Sequence, residues 1–152
     1  MEKNKLVWKN KKWKELSQKE MHDIYALRAQ VFVVEQNCVY QDIDNKDSKA
    51  IHVYGVSKKK IIAYSRCFKQ GDYFNETSFG RAVVVKKERG KGIGDELVKQ
   101  TIKVMKANWP DQKIKISAQA HLSGFYKKHG FITKGEKYLE DGIPHIGMCS
   151  KP

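Results

Sequence analysis

A single α/β (α+β) domain is what this sequence predicts, and three observations carry the prediction. Segments of strand-like alternation and segments of helical periodicity follow one another along the chain, with no repeat and no Pro- or Gly-rich linker between them. A β-branched run, Val83, Val84 and Val85, passes through a basic glycine turn straight into a helical pattern. The 152 residues are 40% hydrophobic and 31% charged, which is enough to build one core and too apolar for disorder. Residues 1–152 therefore read as one domain.

The elements follow in order. Leu6–Trp13 is a strand candidate with Val7 and Trp13 facing inward. Ser17-Gln18-Lys19-Glu20 is a capping box, in which serine and glutamate satisfy each other's backbone N–H groups, so a helix starts after Ser17. Met21, Ile24, Tyr25, Leu27, Arg28, Val31 and Phe32 give that helix its stripe and carry it to about Val34. Cys38–Lys49 is a polar loop rich in aspartate. Ala50–Ser57 and Ile61–Phe68 alternate as strands about a Lys58–Lys60 turn, and Ser78–Val85 is the next strand. Gly92–Ala107 is a helix, Pro110-Asp111 a break and Ile114–Ala118 a strand. A short helix and two further strands close the chain at Met148, in the order β–α–β–β–β–α–β–α–β–β.

The turn Arg89-Gly90-Lys91-Gly92-Ile93-Gly94 is the most informative segment. Its glycines let the backbone approach a bulky ligand and aim several N–H groups at one point. The helix that follows adds the positive end of its dipole there, and Arg89 and Lys91 add mobile charge. Such a construction suits a pyrophosphate. A P-loop needs Ser or Thr after its lysine, and Lys91 is followed by Gly92. A dinucleotide turn needs Gly-x-Gly-x-x-Gly with an acid about 20 residues on, and Lys113-Ile114-Lys115-Ile116 carries none. Arg89, Gly92 and Gly94 satisfy a third pattern, Arg/Gln-x-x-Gly-x-Gly. A second segment runs from Gln119 through Ser123 to Tyr126, Gly130 and Phe131. Leu122, Phe125 and Tyr126 share a helical face there, and Gly130 stands where a helix end wants a left-handed residue.

These two motifs resemble those of the GNAT superfamily of N-acetyltransferases, in which the glycine turn holds the pyrophosphate of acetyl-CoA and the second signature ends in Tyr-x-x-x-Gly-Phe. The segments Leu27–Cys38, Tyr40–Asp44, Gly80-Arg81, Ala118–Leu122 and Tyr138–Met148 resemble its ElaA-like branch more narrowly. The resemblance covers essentially the whole chain. It implies a mixed, mostly antiparallel central sheet with helices on both faces. It implies acetyl-CoA as acetyl donor, held by Val83, Val84, Val85, Arg89, Gly90, Lys91, Gly92, Ile93, Gly94, Gln119, Ser123 and Tyr126. It also implies direct transfer to an amine, on a small molecule or a protein, by a monomer or homodimer.

Acetyl transfer sets three chemical demands. Negative charge develops on the thioester oxygen, and a strand N–H near Val83 or Val84 can stabilise it. The departing thiolate needs a proton donor, and Tyr126 is carried over as that acid, its hydroxyl staying protonated above the pKa of a thiol. An ammonium acceptor must lose a proton, for which Glu35 and His52 are candidates, with His121 and His145 beside them. Asp42, Asp44 and Asp47 lack the glycine and glutamate of a calcium loop; they read first as a solvated loop and, if functional, as an acidic loop facing a cationic amine, and no metal is expected.

The remaining composition bounds the alternatives. A net charge of +13 favours weak association with polyanions, but no nucleic-acid-binding motif accompanies it, so no specific nucleic acid is expected. Three widely spaced cysteines fit reduced thiols better than a disulfide framework. No apolar run approaches the roughly 18 residues of a spanning helix, and Met1–Lys5 has no apolar stretch behind it, so a cytoplasmic protein without membrane or leader is expected.

Overall fold

One seven-stranded sheet organises the chain, in a computed structural model that describes residues 5–150. The leader expectation drawn from Met1–Lys5 falls outside those residues except at Lys5. The strands are β1 (Val7–Lys12), β2 (Ile51–Ser57), β3 (Lys60–Phe68), β4 (Thr77–Val84), β5 (Ile114–Gln119), β6 (Phe131–Glu140) and β7 (Ile143–Ser150), and the spatial order is β1-β2-β3-β4-β5-β7-β6. Every neighbouring pair is antiparallel except β4 and β5. The expected mixed, mostly antiparallel sheet is therefore present.

Helix α1 (Gln18–Arg28) covers one face, and α2 (Ile93–Asn108) and α3 (Ser123–Lys127) cover the other. Alternation along the central strands sorts the side chains. On β2 and β3, Tyr54 and Tyr64 join Ile24, Leu27 and Val31 under α1. Val53 and Cys67 join Val98, Met105 and Met148 under α2. Ser65, on the α2 side, is satisfied by Thr101 at 2.6 Å.

The capping box forms as the sequence predicts, with Glu20 N–H donating to Ser17 Oγ at 3.0 Å and Ser17 N–H to Glu20 Oε1 at 2.9 Å. The helix does not run unchanged to Val34. From Ala29 to Glu35 it widens into a π-helical segment, in which Gln36 N–H reaches Val31 O at 3.1 Å and Cys38 N–H reaches Val33 O at 3.0 Å. Val31, Val33 and Val34 are β-branched, which weakens the α-helical preference of this stretch. The inward residues of β1 also differ from expectation. Val7 is 47% exposed, and Leu6 and Trp8 pack toward Ile62 and Leu97 instead. Gly55 permits this, because a Cβ there would meet Leu6 and Trp8 side-chain atoms at 3.0 Å.

Lys58 and Lys59 both take positive φ, +50° and +63°, the geometry of a two-residue hairpin turn. No helix among the described residues is long and apolar enough to cross a membrane.

Candidate active site

The sheet opens where β4 meets β5. These strands pair only at Thr77↔Ile114 and Ser78↔Lys115, and beyond that point they part. β4 bends there, with an irregularity in its pairing to β3 between Tyr64 and Arg66 and with Arg81 at φ +52°. Two cavities meet in the gap. A groove of about 710 Å³ runs toward the start of α2, and a smaller pocket of about 120 Å³ lies toward β6 and β7. Phe32, Gln36, Ala82, Gln119, Leu122 and Ile143 line both.

The glycine turn forms one end of the groove. Gly90 and Gly92 have φ of +81° and +80°, and a Cβ on either would meet no protein atom within 4 Å. Left-handed backbone rather than crowding thus demands glycine here. The first bond of α2 is Glu96 N–H to Gly92 O at 3.2 Å, so the N–H groups of Ile93, Gly94 and Asp95 precede it without intrahelical partners. Of the acids of the first turn, Glu96 is engaged by the Trp8 indole at 3.2 Å, while Asp95 lines the groove and pairs with His129 at 2.8 Å. Arg89 folds back to give Nε to Val84 O at 3.0 Å and Nη1 to Glu35 Oε2 at 2.6 Å.

Those contacts sort the predicted strand residues. Val85 N–H is bonded to Ile62 O at 2.9 Å, so it faces β3. By strand alternation Val83 N–H turns the same way and Val84 N–H faces the gap, as does the Val84 carbonyl that Arg89 holds. Val83, Val84, Arg89, Gly90, Gly92, Gly94, Gln119, Glu35 and His121 border the groove. Val85, Lys91, Ile93 and Ser123 do not: Ile93 packs in the core with Leu97, and Lys91 pairs with Glu88 at 2.9 Å.

Tyr126 lines the smaller pocket and not the groove. Its ring meets Phe125 edge-on at 5.1 Å and Phe131 at 6.2 Å, and it is 8% exposed. Among the described residues Arg66 Nε is the only buried side-chain N or O without a partner. Among the described residues the Tyr126 hydroxyl has no hydrogen-bond partner and is not one of the fully buried, unpartnered atoms, so it keeps some exposure where the residue lines the pocket. Burial pushes its pKa up to about 12, which keeps the proton on at neutral pH.

The aspartate loop departs from expectation. Asp42, Asp44 and Asp47 do not present free carboxylates to the pocket. They turn inward onto three arginines. Arg28 reaches Asp42 at 2.9 Å and Asp47 at 2.7 Å, Arg66 reaches Asp47 at 3.0 Å, and Arg81 reaches Asp42 at 2.9 Å. Formal charges cancel, and the network ties the loop to α1, β3 and β4. The acids stand out in the sequence and their partners do not, because Arg28 sits in an apolar stripe and Arg66 in a strand.

His52 is likewise not at the site. It is buried under α1, with Nε2 2.9 Å from Asp47 O and Nδ1 2.7 Å from the Tyr64 hydroxyl. The carbonyl only accepts, so Nε2 carries the hydrogen and Nδ1 accepts from Tyr64. Burial lowers its pKa, and no nitrogen is left for a substrate. Glu35 borders the groove but is committed to Arg89. His145 lines the pocket together with Tyr126. Sequence reasoning passes over Tyr73, Ser117 and Glu140, which also line it. The signal available for Glu140 was Asp141-Gly142, an Asp-Gly hairpin turn directly after it.

Known proteins share this architecture. The model of the acetyltransferase (GNAT) domain matches residues 14–151. Protein ElaA of Escherichia coli K12 is 41% identical over 146 residues, covering 95% of each chain, and its crystal structure superposes with a TM-score of 0.91 over 97% of this chain and 100% of that one. An acyl-CoA N-acyltransferase from Pseudomonas aeruginosa is 36% identical, with a TM-score of 0.92 over 97% and 100% of the two chains. A GNAT family acetyltransferase from Elizabethkingia anophelis, solved with acetyl-CoA bound, shares the fold at 18% identity and a TM-score of 0.68 over 99% and 100%. The glycine turn at the start of α2, the parted strands and these likenesses lead to one conclusion: the chain belongs to the GNAT acetyltransferase family, in its ElaA-like branch, and is an acyltransferase enzyme.

Proposed function

We propose that this enzyme takes an acetyl group from acetyl-CoA and moves it directly to a primary amine. The observation that carries the reading is the meeting of two cavities in the gap between β4 and β5. One has an anion-ready helix start at its end, and the other has an open tyrosine hydroxyl. The residues present fit a pyrophosphate-bearing donor: left-handed glycines leave open space above the turn, and three amides and Arg89 stand beside it. Bound there, acetyl-CoA supplies an acyl thioester as the electrophile. Arg89 and the amides of α2 hold the phosphates, and Glu35 keeps Arg89 in place until they arrive. Val84 N–H, turned into the gap, donates to the thioester oxygen. Tyr126 remains protonated and donates to the departing sulfur. Phe32 and Leu122, bordering both cavities, keep water from the junction. The cytoplasm, where acetyl-CoA is at hand, is the compartment this reading implies.

The test is calorimetric titration with CoA and acetyl-CoA, followed by thiol release from acetyl-CoA with a panel of diamines, amino acids and lysine peptides. Binding of both ligands and amine-dependent release are expected. Absence of binding together with amine-independent thiol release would refute the reading.

A further inference from the structure

The far end of the smaller pocket is built by the β6–β7 hairpin. Asp141 and Gly142, with φ of +50° and +77°, make a tight turn that sets Glu140 opposite Ile143. His145 lies two residues on and comes to face the same carboxylate. Its Nδ1 is 2.7 Å from the Ile143 carbonyl oxygen, which can only accept, so Nδ1 carries the hydrogen. In the neutral ring the lone pair is therefore on Nε2, and Nε2 lies 3.3 Å from Glu140 Oε2. The other carboxylate oxygen is 3.4 Å from Ser117 Oγ, which is itself hydrogen-bonded to the Tyr138 hydroxyl. The Tyr138 ring stacks on the imidazole at 6.2 Å between centroids. The Ile143 carbonyl thus sets the tautomer of the neutral ring and Tyr138 sets its plane, with the Glu140 carboxylate beside Nε2.

We propose that His145 is the general base that removes a proton from the acceptor ammonium, with Glu140 as the positioning residue that stabilises the resulting imidazolium; this rests on the acetyl-transfer reading above. His145 shares its pocket with Tyr126, whereas Glu35 is paired with Arg89, His52 is buried with both nitrogens bonded, and His121 borders only the larger groove. The step balances. An N–H bond of the ammonium breaks, its electron pair stays on nitrogen, and the proton passes to Nε2 and on to solvent. Nitrogen then forms the C–N bond as the C–S bond breaks. The second proton that nitrogen sheds replaces the one that Tyr126 gives to sulfur.

The experiment compares two kinds of nucleophile in the full chain, with acetyl-CoA as donor. Spermidine and a lysine peptide are protonated at neutral pH and need a base, whereas hydroxylamine is largely neutral there and does not. His145→Gln is expected to lose about 10²- to 10⁴-fold in kcat toward the alkyl amines, with a much smaller change toward hydroxylamine. Glu140→Gln should lose less, in the same pattern. Equal losses toward both nucleophiles, or none, would overturn the proposal. Wild-type transfer to hydroxylamine but to no alkyl amine would overturn the base and leave the transferase reading standing; transfer to neither would overturn both. Ring ¹⁵N shifts of wild-type His145 provide a check that needs no acceptor. A neutral ring protonated on Nδ1 is expected, and a neutral ring protonated on Nε2 would overturn the assignment.

Discussion

Replacing Asp47 with asparagine removes one charge from the buried network that anchors the pocket wall. Asp47 is 2% exposed, and its Oδ1 receives Arg28 Nη1 at 2.7 Å and Arg66 Nη1 at 3.0 Å. Without that carboxylate, two buried guanidiniums share the remaining charge of Asp42 and Asp44. Breaking a buried pair by removing one partner costs about 3–5 kcal/mol. For a chain of this size each kcal/mol moves the melting temperature by about 2–4 °C, so the variant should melt about 6–20 °C lower. The acid limb follows from the same contacts. Burial opposes the charge of Asp44 and Asp47, but the arginines outweigh it, lowering the pKa of Asp47 and holding that of Asp44 at about 2. A carboxyl depressed in the folded state gives stability that is complete above its unfolded value of about 4 and lost as pH falls through the folded value. Wild-type stability should therefore fall between about pH 4 and pH 2, and the Asn variant should show a shallower fall. Thermal unfolding by circular dichroism across that range reads both quantities. A loss below about 1 kcal/mol with an unchanged acid limb would refute the reasoning.

Other consequences concern the cleft. Tyr126→Phe keeps the packed ring and deletes the hydroxyl that opens on the pocket, so turnover should drop at least about tenfold with KM and melting temperature little changed. Wild-type turnover in that variant, with chemistry limiting, would remove Tyr126 from the mechanism. Gly92→Val places a branched side chain at φ +80°, so the protein should fold with a stability loss of about 1–2 kcal/mol and forfeit any CoA-dependent rise in melting temperature. A retained rise in the folded variant would move the phosphates elsewhere. The +13 charge should give only weak binding to DNA or RNA that fades as salt rises, and a specific complex surviving 200 mM salt would contradict this.

Local chemistry was readable in the sequence, and long-range pairing was not. Ser17 and Glu20 define their own cap within one turn, and Gly130 takes the positive φ that its place at a helix end suggests. The apolar pattern also gave the strands and helices of the sheet, apart from boundary shifts such as β4 beginning at Thr77. What failed depends on partners distant in the chain. Asp42, Asp44 and Asp47 look free until Arg28, Arg66 and Arg81 close on them. His52 looks available until Tyr64 and Asp47 occupy its nitrogens. Val83 and Val84 are equivalent by composition, and only the β3 register turns the Val84 amide toward the gap. The widening of α1 after Arg28 has no marker as plain as a glycine or proline, which is why its stripe reads as uninterrupted helix.

The proposed function places acetyl-CoA in the gap between β4 and β5, with its phosphates on the glycine turn. A crystal structure of the full chain with CoA tests it most directly. Pyrophosphate oxygens are expected within hydrogen-bond reach of the amides from Gly90 to Gly94, with the Val84 amide turned toward the pantetheine arm and the sulfur beside the Tyr126 hydroxyl. CoA bound away from the turn, or a sulfur remote from Tyr126 with the arm outside the gap, would contradict it.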